Sequence, residues 1–186
     1  MVVRAEVRRG STASLLDAAV KVFVVSPSAS LAQVAEAAGI GRTTLHKYYA
    51  TRDDLLRAVG HRAIDLCEQA AESAERSAAD DGGLLALAEA MVPIGPHLAV
   101  LWRNPVIDRA PDITRRWCEL EPRTLAVLKR ARARGVVRDS VPDFWLLQAF
   151  YSLVYVAAES VQDGHLAARD APGLVVDTFV RGLGTP

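Results

Sequence analysis

Apolar residues recur every three or four positions along this 186-residue chain, and they almost never alternate with polar residues over a useful length. A half-buried strand requires such alternation, whereas an amphipathic helix requires the three-to-four spacing. The sequence therefore predicts an all-α fold. Clusters of serine, proline, aspartate and glycine divide the pattern into separate helices, most clearly at residues 26–28, 80–83 and 163–164.

The first 50 residues predict three helices joined by short turns. The first helix is predicted over residues 11–24. Ser30 opens the second helix, and Gln33 three residues later completes a capping box in which each side chain bonds the other's backbone N–H. Gly39 ends this helix, because a residue without Cβ adopts the left-handed conformation of a sharp turn. The third helix is predicted over residues 42–49.

A fourth helix, capped by Thr51, has no breaker before residues 80–83. At about 1.5 Å per residue it would be roughly 40 Å long, which is more than one small domain needs. We interpret it as the connector between two domains. The predicted boundaries are residues 1–52 for an N-terminal helical domain and residues 53–186 for a C-terminal helical domain.

The charges are divided unevenly between the two ends of the chain. The whole sequence has 22 Lys and Arg against 22 Asp and Glu, so its formal net charge is zero. Residues 1–62, however, contain nine Lys and Arg against five Asp and Glu, and the remainder carries the matching negative excess. A basic N-terminal third on an acidic body suggests that this end binds a polyanion. Chance fluctuation also produces an excess of this size, so the charge distribution alone does not establish polyanion binding.

The second and third predicted helices have the form of a helix-turn-helix, in which two short helices flank a tight glycine turn and the second helix lies in the major groove of DNA. The outer side of the third helix is polar and basic. Arg42 and Lys47 can donate to guanine edges or to phosphates. Thr43 can offer a methyl group to thymine, and His46 can donate to an acceptor. An ordinary helical hairpin with a solvated basic face would have the same spacing.

The first third of the chain also resembles a known family. It is similar to the N-terminal DNA-binding region of the TetR family of bacterial transcriptional regulators in LLDAAVKVF at residues 15–23 and SLAQVAEAAGIGRTTLHKYYATRDDLLRAV at residues 30–59. The resemblance includes Ala-Ala before Gly39, and a Thr-Leu pair and an aromatic pair in the third helix. It also includes an Arg followed by acidic residues and Leu-Leu at the start of the fourth helix. Further on, RARARGVVRDSVPDFWL at residues 130–146 resembles the transition into the family's penultimate helix.

The resemblance implies DNA-contact roles for eight residues of this sequence. Four occupy positions that hold the DNA backbone in the family, and four lie where bases are read. The backbone group is Ser30, Thr44, Tyr48 and Arg52, and the base-reading group is Arg42, Thr43, His46 and Lys47. Ser30 and Arg52 lie at helix N-termini, where free N–H groups and the helix dipole favour a phosphate. The implied partner is double-stranded DNA with a pseudo-palindromic operator.

The last two predicted helices suggest a homodimer. Residues 143–162 are apolar on nearly every side, and such a helix must be buried all round. Residues 173–183 form a last amphipathic helix, and an earlier helix is predicted to begin at Pro122 and to run to Ala133. The last two helices carry more apolar surface than a chain of this size readily buries alone, so we expect them to pair with a second copy. The alternative is that they form the core of the monomer.

By the same resemblance, the C-terminal helices form a ligand-binding and dimerisation domain. Effector sites are mostly apolar with a few placed polar groups. The candidates for such a pocket are the aromatic residues Trp102, Trp117, Tyr151 and Tyr155 and the polar residues Arg103 and Gln148. His97 is a further polar candidate, and Glu159 is predicted to form a salt bridge at the dimer interface. Each of these residues also fits an ordinary core or surface position.

Other classes of protein are poorly supported. Histidines and cysteines are scattered singly, without HExxH, GxSxG or a Gly-rich phosphate loop, so no enzyme is predicted. Cys67 and Cys118 have no CxxC spacing, which gives no support for a disulfide framework, a metal site or a cofactor. The charged N-terminus MVVRAEVRRG lacks the apolar run of a signal peptide, and no membrane span is predicted, so the expected location is cytoplasmic.

Together these features predict a sequence-specific DNA-binding transcriptional regulator. The expected activity is that of a repressor, which a small apolar ligand releases from its operator by preferring one conformation over another. The alternative is an effector-blind DNA-binding or partner-binding helical module, which needs no cavity.

Overall fold

The computed structural model describes residues 2–183, and it describes side chains from residue 12 to residue 182. Within that part, the chain forms ten α-helices and no strand, so the all-α prediction is confirmed. The helices are α1 (Val2–Val25), α2 (Leu31–Ala37), α3 (Arg42–Tyr48), α4 (Arg52–Glu75), α5 (Leu84–Met91), α6 (Gly95–Arg103), α7 (Pro105–Asp108), α8 (Pro111–Ala133), α9 (Asp143–Gln162) and α10 (Ala171–Leu183). A 3₁₀ turn, Val92–Ile94, lies between α5 and α6.

The chain divides into two compact units. The first unit consists of Met1–Ala63 and Pro96–Thr114, and the second unit consists of Ile64–Gly95 and Arg115–Pro186. The chain crosses from one unit to the other within α4, near the start of α6, and within α8. The domain boundary predicted after residue 52 stays a prediction.

Helix α1 belongs to the first unit and is longer than predicted, because it begins at Val2 rather than near residue 11. The basic residues Arg4, Arg8 and Arg9, which contribute to the positive N-terminal charge, have side chains outside the described residues. Leu16, Val20 and Phe23 follow one another at intervals of three or four residues and are all buried, so they form an apolar face of α1. This face gives α1 an apolar side on which α2 packs, and α3 packs in turn on α2.

The prediction that a helix begins at Pro122 is wrong. Helix α8 begins at Pro111, and Pro122 lies inside it. Pro111 fits the first turn because the N–H that it lacks would have no partner there. Pro122 is exposed, so water can reach the carbonyl group that its missing N–H leaves unbonded. The helix therefore continues through a residue that usually ends one.

Helices α4 and α8 are joined in the second unit by three arginines of α8 that are spaced seven residues apart. Each arginine donates to an acceptor on α4. The pairs are Arg116 with Asp65 at 2.7 Å, Arg123 with Glu75 at 2.9 Å, and Arg130 with the carbonyl of Ala74 at 2.6 Å. Residue numbers rise together on both helices from the Arg116–Asp65 pair to the Arg123–Glu75 pair, so the two helices run parallel. A seven-residue spacing keeps the three arginines on one face of α8.

Helix α9 packs on α10, and α10 also packs on α5. Phe150 of α9 meets Phe179 of α10 edge to face, with ring centroids 5.8 Å apart. The described part of the chain does not cover the opposite side of α9, where Phe144 is 74%, Trp145 59% and Val156 56% exposed. Among the described residues, this helix, which is apolar on nearly every side, is thus buried on one side.

Two segments, Leu84–Arg103 and Asp143–Gln162, are long and apolar enough to span a membrane by length and composition alone. Core helices of globular proteins pass the same test. The protein itself buries 50% of the first apolar window and 39% of the second. Their apolar composition is therefore also typical of helices that pack inside a protein.

Candidate functional site

The turn between α2 and α3 is fixed by hydrogen bonds at both ends of α2. At the start, the Ser30 N–H donates to Gln33 Oε1 at 2.9 Å, and the Gln33 N–H donates to Ser30 Oγ at 3.4 Å. At the end, Gly39 has a φ of 66°, and the Ile40 N–H donates to the Ala35 carbonyl at 3.0 Å. These bonds form a capping box and a Schellman motif. The predicted cap and the predicted left-handed glycine are both confirmed.

Helix α3 has one buried side, which fixes its rotation. Leu45 is fully buried on this side, as are Val34 and Ala35 of α2, the helix on which α3 packs. Tyr49, directly after α3, is half-buried, and its burial raises the pKa of its phenol. Helix α3 therefore turns the polar side predicted from the sequence away from α2.

The outer side of α3 carries six of the eight predicted DNA-contact residues. All six are exposed: Arg42, Thr43, Thr44, His46, Lys47 and Tyr48. Ser30 is exposed as well, at the N-terminus of α2. The arrangement presents two cations, two hydroxyls, an imidazole and a phenol on one short helix. Such donors suit base edges and phosphates.

Arg52 differs from the other seven because its guanidinium points to the chain itself. Its Nε donates to the Ala29 carbonyl at 2.9 Å, and its Nη2 donates to the Pro27 carbonyl. The guanidinium also lies over the ring of Phe23, 5.3 Å from the centroid. Arg52 therefore fastens the α1–α2 loop, which leads directly into Ser30. Its role as a contact to the DNA backbone stays a prediction.

Helix α4 begins with a second reciprocal cap. The Asp54 N–H donates to Thr51 Oγ1 at 3.1 Å, and the Thr51 N–H donates to Asp54 Oδ2 at 3.0 Å. The predicted capping role of Thr51 is confirmed. Asp54 completes the box in the place that Glu or Gln usually takes, so a rule restricted to those two residues does not find it.

Five side chains of the second unit form what we call the Trp117 cluster: Cys67, Trp117, Glu121, Thr124 and Tyr151. The rings of Trp117 and Tyr151 lie 5.3 Å apart, and Trp117 Nε1 donates to Glu121 Oε1 at 3.0 Å. Cys67, Thr124 and Tyr151 are buried. Burial raises the pKa of Tyr151, and it raises that of the Cys67 thiol to about 12. The cluster thus combines two aromatic rings with one carboxylate.

The structure brings together only two of the six predicted pocket residues, Trp117 and Tyr151. Trp102 and Arg103 lie on α6 in the first unit. Gln148 is exposed on α9, and half-buried Tyr155 donates its hydroxyl to Glu159 at 3.0 Å on the exposed side of the same helix. Three residues of the cluster were not predicted. Two of them, Glu121 and Thr124, follow Trp117 by four and seven positions, and this helical spacing could have identified them.

A groove of about 400 Å³ lies between α9 and α10 on the side that the chain leaves exposed. Trp145 and Leu153 of α9 and Phe179 and Gly182 of α10 line it, and Gln148 lies beside them. Its walls are almost entirely apolar. A surface of this kind is typical of a contact with another apolar surface.

The chain is similar to known regulatory proteins. The family model described as "Bacterial regulatory proteins, tetR family" matches residues 15–59. The transcriptional repressor LfrR of Mycolicibacterium smegmatis is 32% identical over 158 residues, which are 84% of this chain and 82% of LfrR. The transcriptional regulator NfxB of Pseudomonas aeruginosa is 24% identical over 178 residues, 92% of this chain and 94% of NfxB.

Solved structures agree with these matches. The crystal structure of the TetR-like regulator LfrR from Mycobacterium smegmatis in complex with proflavine superposes with a TM-score of 0.80 at 28% identity. The alignment covers 97% of this chain and 99% of LfrR. The similarity therefore extends over both compact units and is not limited to the helix-turn-helix.

Proposed function

This chain belongs to the TetR family of bacterial regulatory proteins, and we propose that it is a homodimeric repressor that leaves its operator when an aromatic cation binds to the Trp117 cluster. As a member of that family it is a transcriptional regulator that binds DNA. The observation that carries the DNA-binding role is the exposed outer side of α3, held in place by the capping box and by the turn at Gly39.

For the DNA contacts, we propose that Arg42, Thr43, His46 and Lys47 read bases and that Ser30, Thr44 and Tyr48 hold the backbone. All seven are exposed, as such contacts require. Arg52, the eighth predicted residue, acts on the backbone contact indirectly, because it fastens the loop that precedes Ser30. Residues 1–52 form the proposed DNA-binding domain, and residues 53–186 form the proposed effector-binding and dimerisation domain.

For the dimer, the support is the exposed apolar side of α9 and the groove beside it. Trp145 and Val156 are each more than half exposed, which is costly for large apolar side chains on an isolated chain. A two-fold contact would cover the same surface on both copies. Dimeric helix-turn-helix proteins bind two half-sites that lie about 34 to 36 Å apart, one turn of DNA.

For the effector, the support is the chemistry of the Trp117 cluster together with the proflavine complex of LfrR. Proflavine is a flat aromatic cation. Two aromatic rings can stack on such a ligand, and the Glu121 carboxylate can balance its charge. Because α4, α8 and α9 all contribute to the cluster, a ligand inserted there must move at least one of them.

Two finer proposals complete the assignment. The protein acts in the cytoplasm, where its DNA is, and it catalyses no reaction and needs no cofactor. The competing function is an effector-blind DNA-binding or partner-binding module. It shares the exposed α3 helix but predicts no response of DNA affinity to any ligand.

The DNA-binding proposal is tested by selecting fragments of the source genome with the purified protein and by measuring their affinity against salt. An inverted repeat shared by a few fragments supports it, because two recognition helices read two half-sites. Binding that is uniform over all fragments and falls steeply with salt contradicts it, because such binding needs only a basic surface.

The effector proposal is tested with proflavine and with two matched variants of α8. Glu121→Gln removes the carboxylate bonded to Trp117, whereas Glu119→Gln removes an exposed carboxylate two residues earlier. We expect Glu121→Gln to weaken proflavine binding about tenfold, and we expect Glu119→Gln to have almost no effect. If both variants bound proflavine with equal affinity, Glu121 would not be part of the binding site.

The dimer proposal is tested by sedimentation of two charge-introducing variants. Trp145→Glu places a charge in the groove between α9 and α10 and should give monomers. Leu85→Glu introduces the same charge at another exposed apolar residue, on α5, and should leave the dimer intact. A dimer that survives Trp145→Glu would contradict the proposed interface.

A further inference from the structure

The first unit contains a pocket beside the helix that carries most of the predicted DNA contacts. The pocket has a volume of about 260 Å³ and lies between α1 and α3. Both of these helices pack on α2, so the pocket is formed where the three helices meet. We call it the hydroxyl pocket, because four of its lining side chains carry a hydroxyl group.

The four hydroxyl groups come from two helices. Thr12 and Ser14 belong to α1, and Thr44 and Tyr48 belong to α3. Thr44 and Tyr48 are four residues apart, which places them on one side of their helix. Ser14, Thr44 and Tyr48 are exposed, and Thr12 is half-buried. Because a hydroxyl hydrogen rotates about its C–O bond, all four groups can point a donor at an acceptor in the pocket.

The rest of the lining is apolar. Leu15 of α1 is buried, and Ala38 and Ile40, on either side of the turn at Gly39, are half-buried. Carbon atoms therefore form the floor of the pocket. This combination suits a sugar–phosphate unit of DNA, because the deoxyribose carbons can pack on the floor while the phosphate oxygens accept from the hydroxyl groups.

The charge around the pocket favours an anion. None of the seven described side chains that line it is charged, so the lining has no carboxylate with which to hold a cation. Arg42 and Lys47 are exposed on α3, close in sequence to Thr44 and Tyr48. Residues 1–62 also carry more Lys and Arg than Asp and Glu. A neutral pocket in a positive field attracts a group that only accepts hydrogen bonds, and a backbone phosphate is such a group.

We propose that the hydroxyl pocket holds one phosphate of the operator backbone and that Thr12 and Ser14 of α1 are DNA-contact residues. The proposal rests on the proposed function, in which Thr44 and Tyr48 hold the backbone from the other side of the same pocket. A phosphate bound to those two residues lies opposite the hydroxyl groups of α1. Because phosphate contacts fix the register of a protein on DNA and carry no sequence information, Thr12 and Ser14 position α3 without reading a base.

The test removes the two hydroxyl groups of α1 and measures the affinity for the selected operator fragment. Thr12→Val/Ser14→Ala keeps the side chains close to their original shape and introduces no residue that breaks a helix. We expect the affinity to fall about tenfold, because hydrogen bonds to a charged phosphate are lost. The slope of log affinity against log salt should stay the same, because a neutral hydroxyl displaces no counterion. Unchanged affinity would overturn the proposal, and so would a reduced slope, because it would mean that a cationic contact had been lost instead.

Two controls separate the chemistry of the hydroxyl groups from a general disturbance of the fold. Thr12→Ser/Ser14→Thr exchanges the two side chains and keeps both hydroxyl groups, so it should bind like the wild type. Thr114→Val removes an exposed hydroxyl from α8 in the same unit and should leave the affinity unchanged. A tenfold loss in either control would contradict the assignment. Urea unfolding checks that the compared proteins are folded, and Ser14→Ala alone replaces the double variant if the latter is unstable.

A scan of the operator identifies the phosphate. Each phosphate in turn is replaced by a neutral methylphosphonate in both half-sites, and the wild type is compared with Thr12→Val/Ser14→Ala. At one position per half-site, the replacement should weaken the wild type at least about threefold more than the variant, because both changes remove the same hydrogen bonds. A scan in which both proteins respond alike at every position would show that the two residues touch no phosphate.

A further measurement distinguishes failure of this proposal from failure of the repressor proposal. If the wild-type protein selects no operator, the repressor proposal fails, and the same proteins are compared on one duplex of arbitrary sequence. A phosphate contact does not depend on sequence, so Thr12→Val/Ser14→Ala should still bind this duplex about tenfold more weakly than the wild type. Equal affinities for this duplex would overturn the phosphate contact as well.

Discussion

Replacing Arg52 by alanine distinguishes two roles that have the same effect on DNA affinity. If Arg52 contacts a phosphate, its removal weakens binding and also reduces the salt dependence of binding, by about 0.9 in the slope of log affinity against log salt. If Arg52 fastens the α1–α2 loop, its removal weakens binding to every duplex but leaves this slope unchanged. The structure favours the second result, because the guanidinium already donates to the Ala29 and Pro27 carbonyls.

The expected loss of stability follows from the contacts of Arg52. The bond to the Ala29 carbonyl is partly buried and contributes about 1.5 kcal/mol, and the exposed bond to Pro27 contributes about 0.5 kcal/mol. The contact with the Phe23 ring adds about 0.5 to 1 kcal/mol. Arg52→Ala should therefore lower the free energy of unfolding by roughly 2.5 to 3 kcal/mol.

The assay combines urea unfolding with operator binding at several salt concentrations. Arg57→Ala is the matched control, because Arg57 lies on the same helix and its side chain is 49% exposed where it pairs with Asp112, so its loss should cost less than about 1 kcal/mol. Arg52→Lys keeps the charge but cannot donate to both carbonyls while it covers the ring. An unchanged unfolding free energy with a reduced salt slope would refute the fastening role of Arg52.

Three further predictions concern stability, and all are measured by urea unfolding. Ser30→Ala should cost about 1 kcal/mol through loss of the α2 cap, whereas Ser28→Ala in the preceding loop should cost almost nothing. Gly82→Ala should cost about 2 kcal/mol or more, because Gly82 has a φ of 74° and a Cβ there would lie 2.6 Å from the backbone nitrogen of Ala131. Burial lowers the pKa of His97 below its ordinary 6.5, so the unfolded chain takes up this proton at a higher pH than the folded one. The contribution of His97 to stability should be complete above about pH 6.5 and lost as the pH falls through the folded pKa, and His97→Gln should lessen this acid sensitivity.

The features that could be predicted from the sequence are those whose partners lie within a few residues. Ser30 and Gln33 form their cap as predicted, and Gly39 has the left-handed backbone that the turn requires. The course of α8 could not be predicted in this way. It continues through Pro122, where Arg116 and Arg123 on either side bond α4, and these contacts between distant segments outweigh one missing backbone bond.

The pocket was harder to predict for a related reason. Aromatic residues are common both in pockets and in ordinary cores, so composition alone did not separate Trp117 from Trp102. Only the folded chain shows that Trp117 meets Tyr151, whereas Trp102 belongs to the other unit. The α4–α8 pairing that brings Cys67 to the cluster depends on arginines that are far from it in sequence.

The protonation states within the Trp117 cluster limit which ligands it can accept. Burial raises the pKa of the Cys67 thiol to about 12 and also raises that of the Tyr151 phenol, so both groups stay neutral at physiological pH. Within the cluster, Glu121 is then the group that carries charge, and that charge is negative. An anionic ligand would have to lie beside this carboxylate in a partly buried site, where repulsion is weakly screened. The cluster should therefore select aromatic cations over anions of the same shape, so a flat aromatic carboxylate should leave proflavine binding unchanged in a competition experiment.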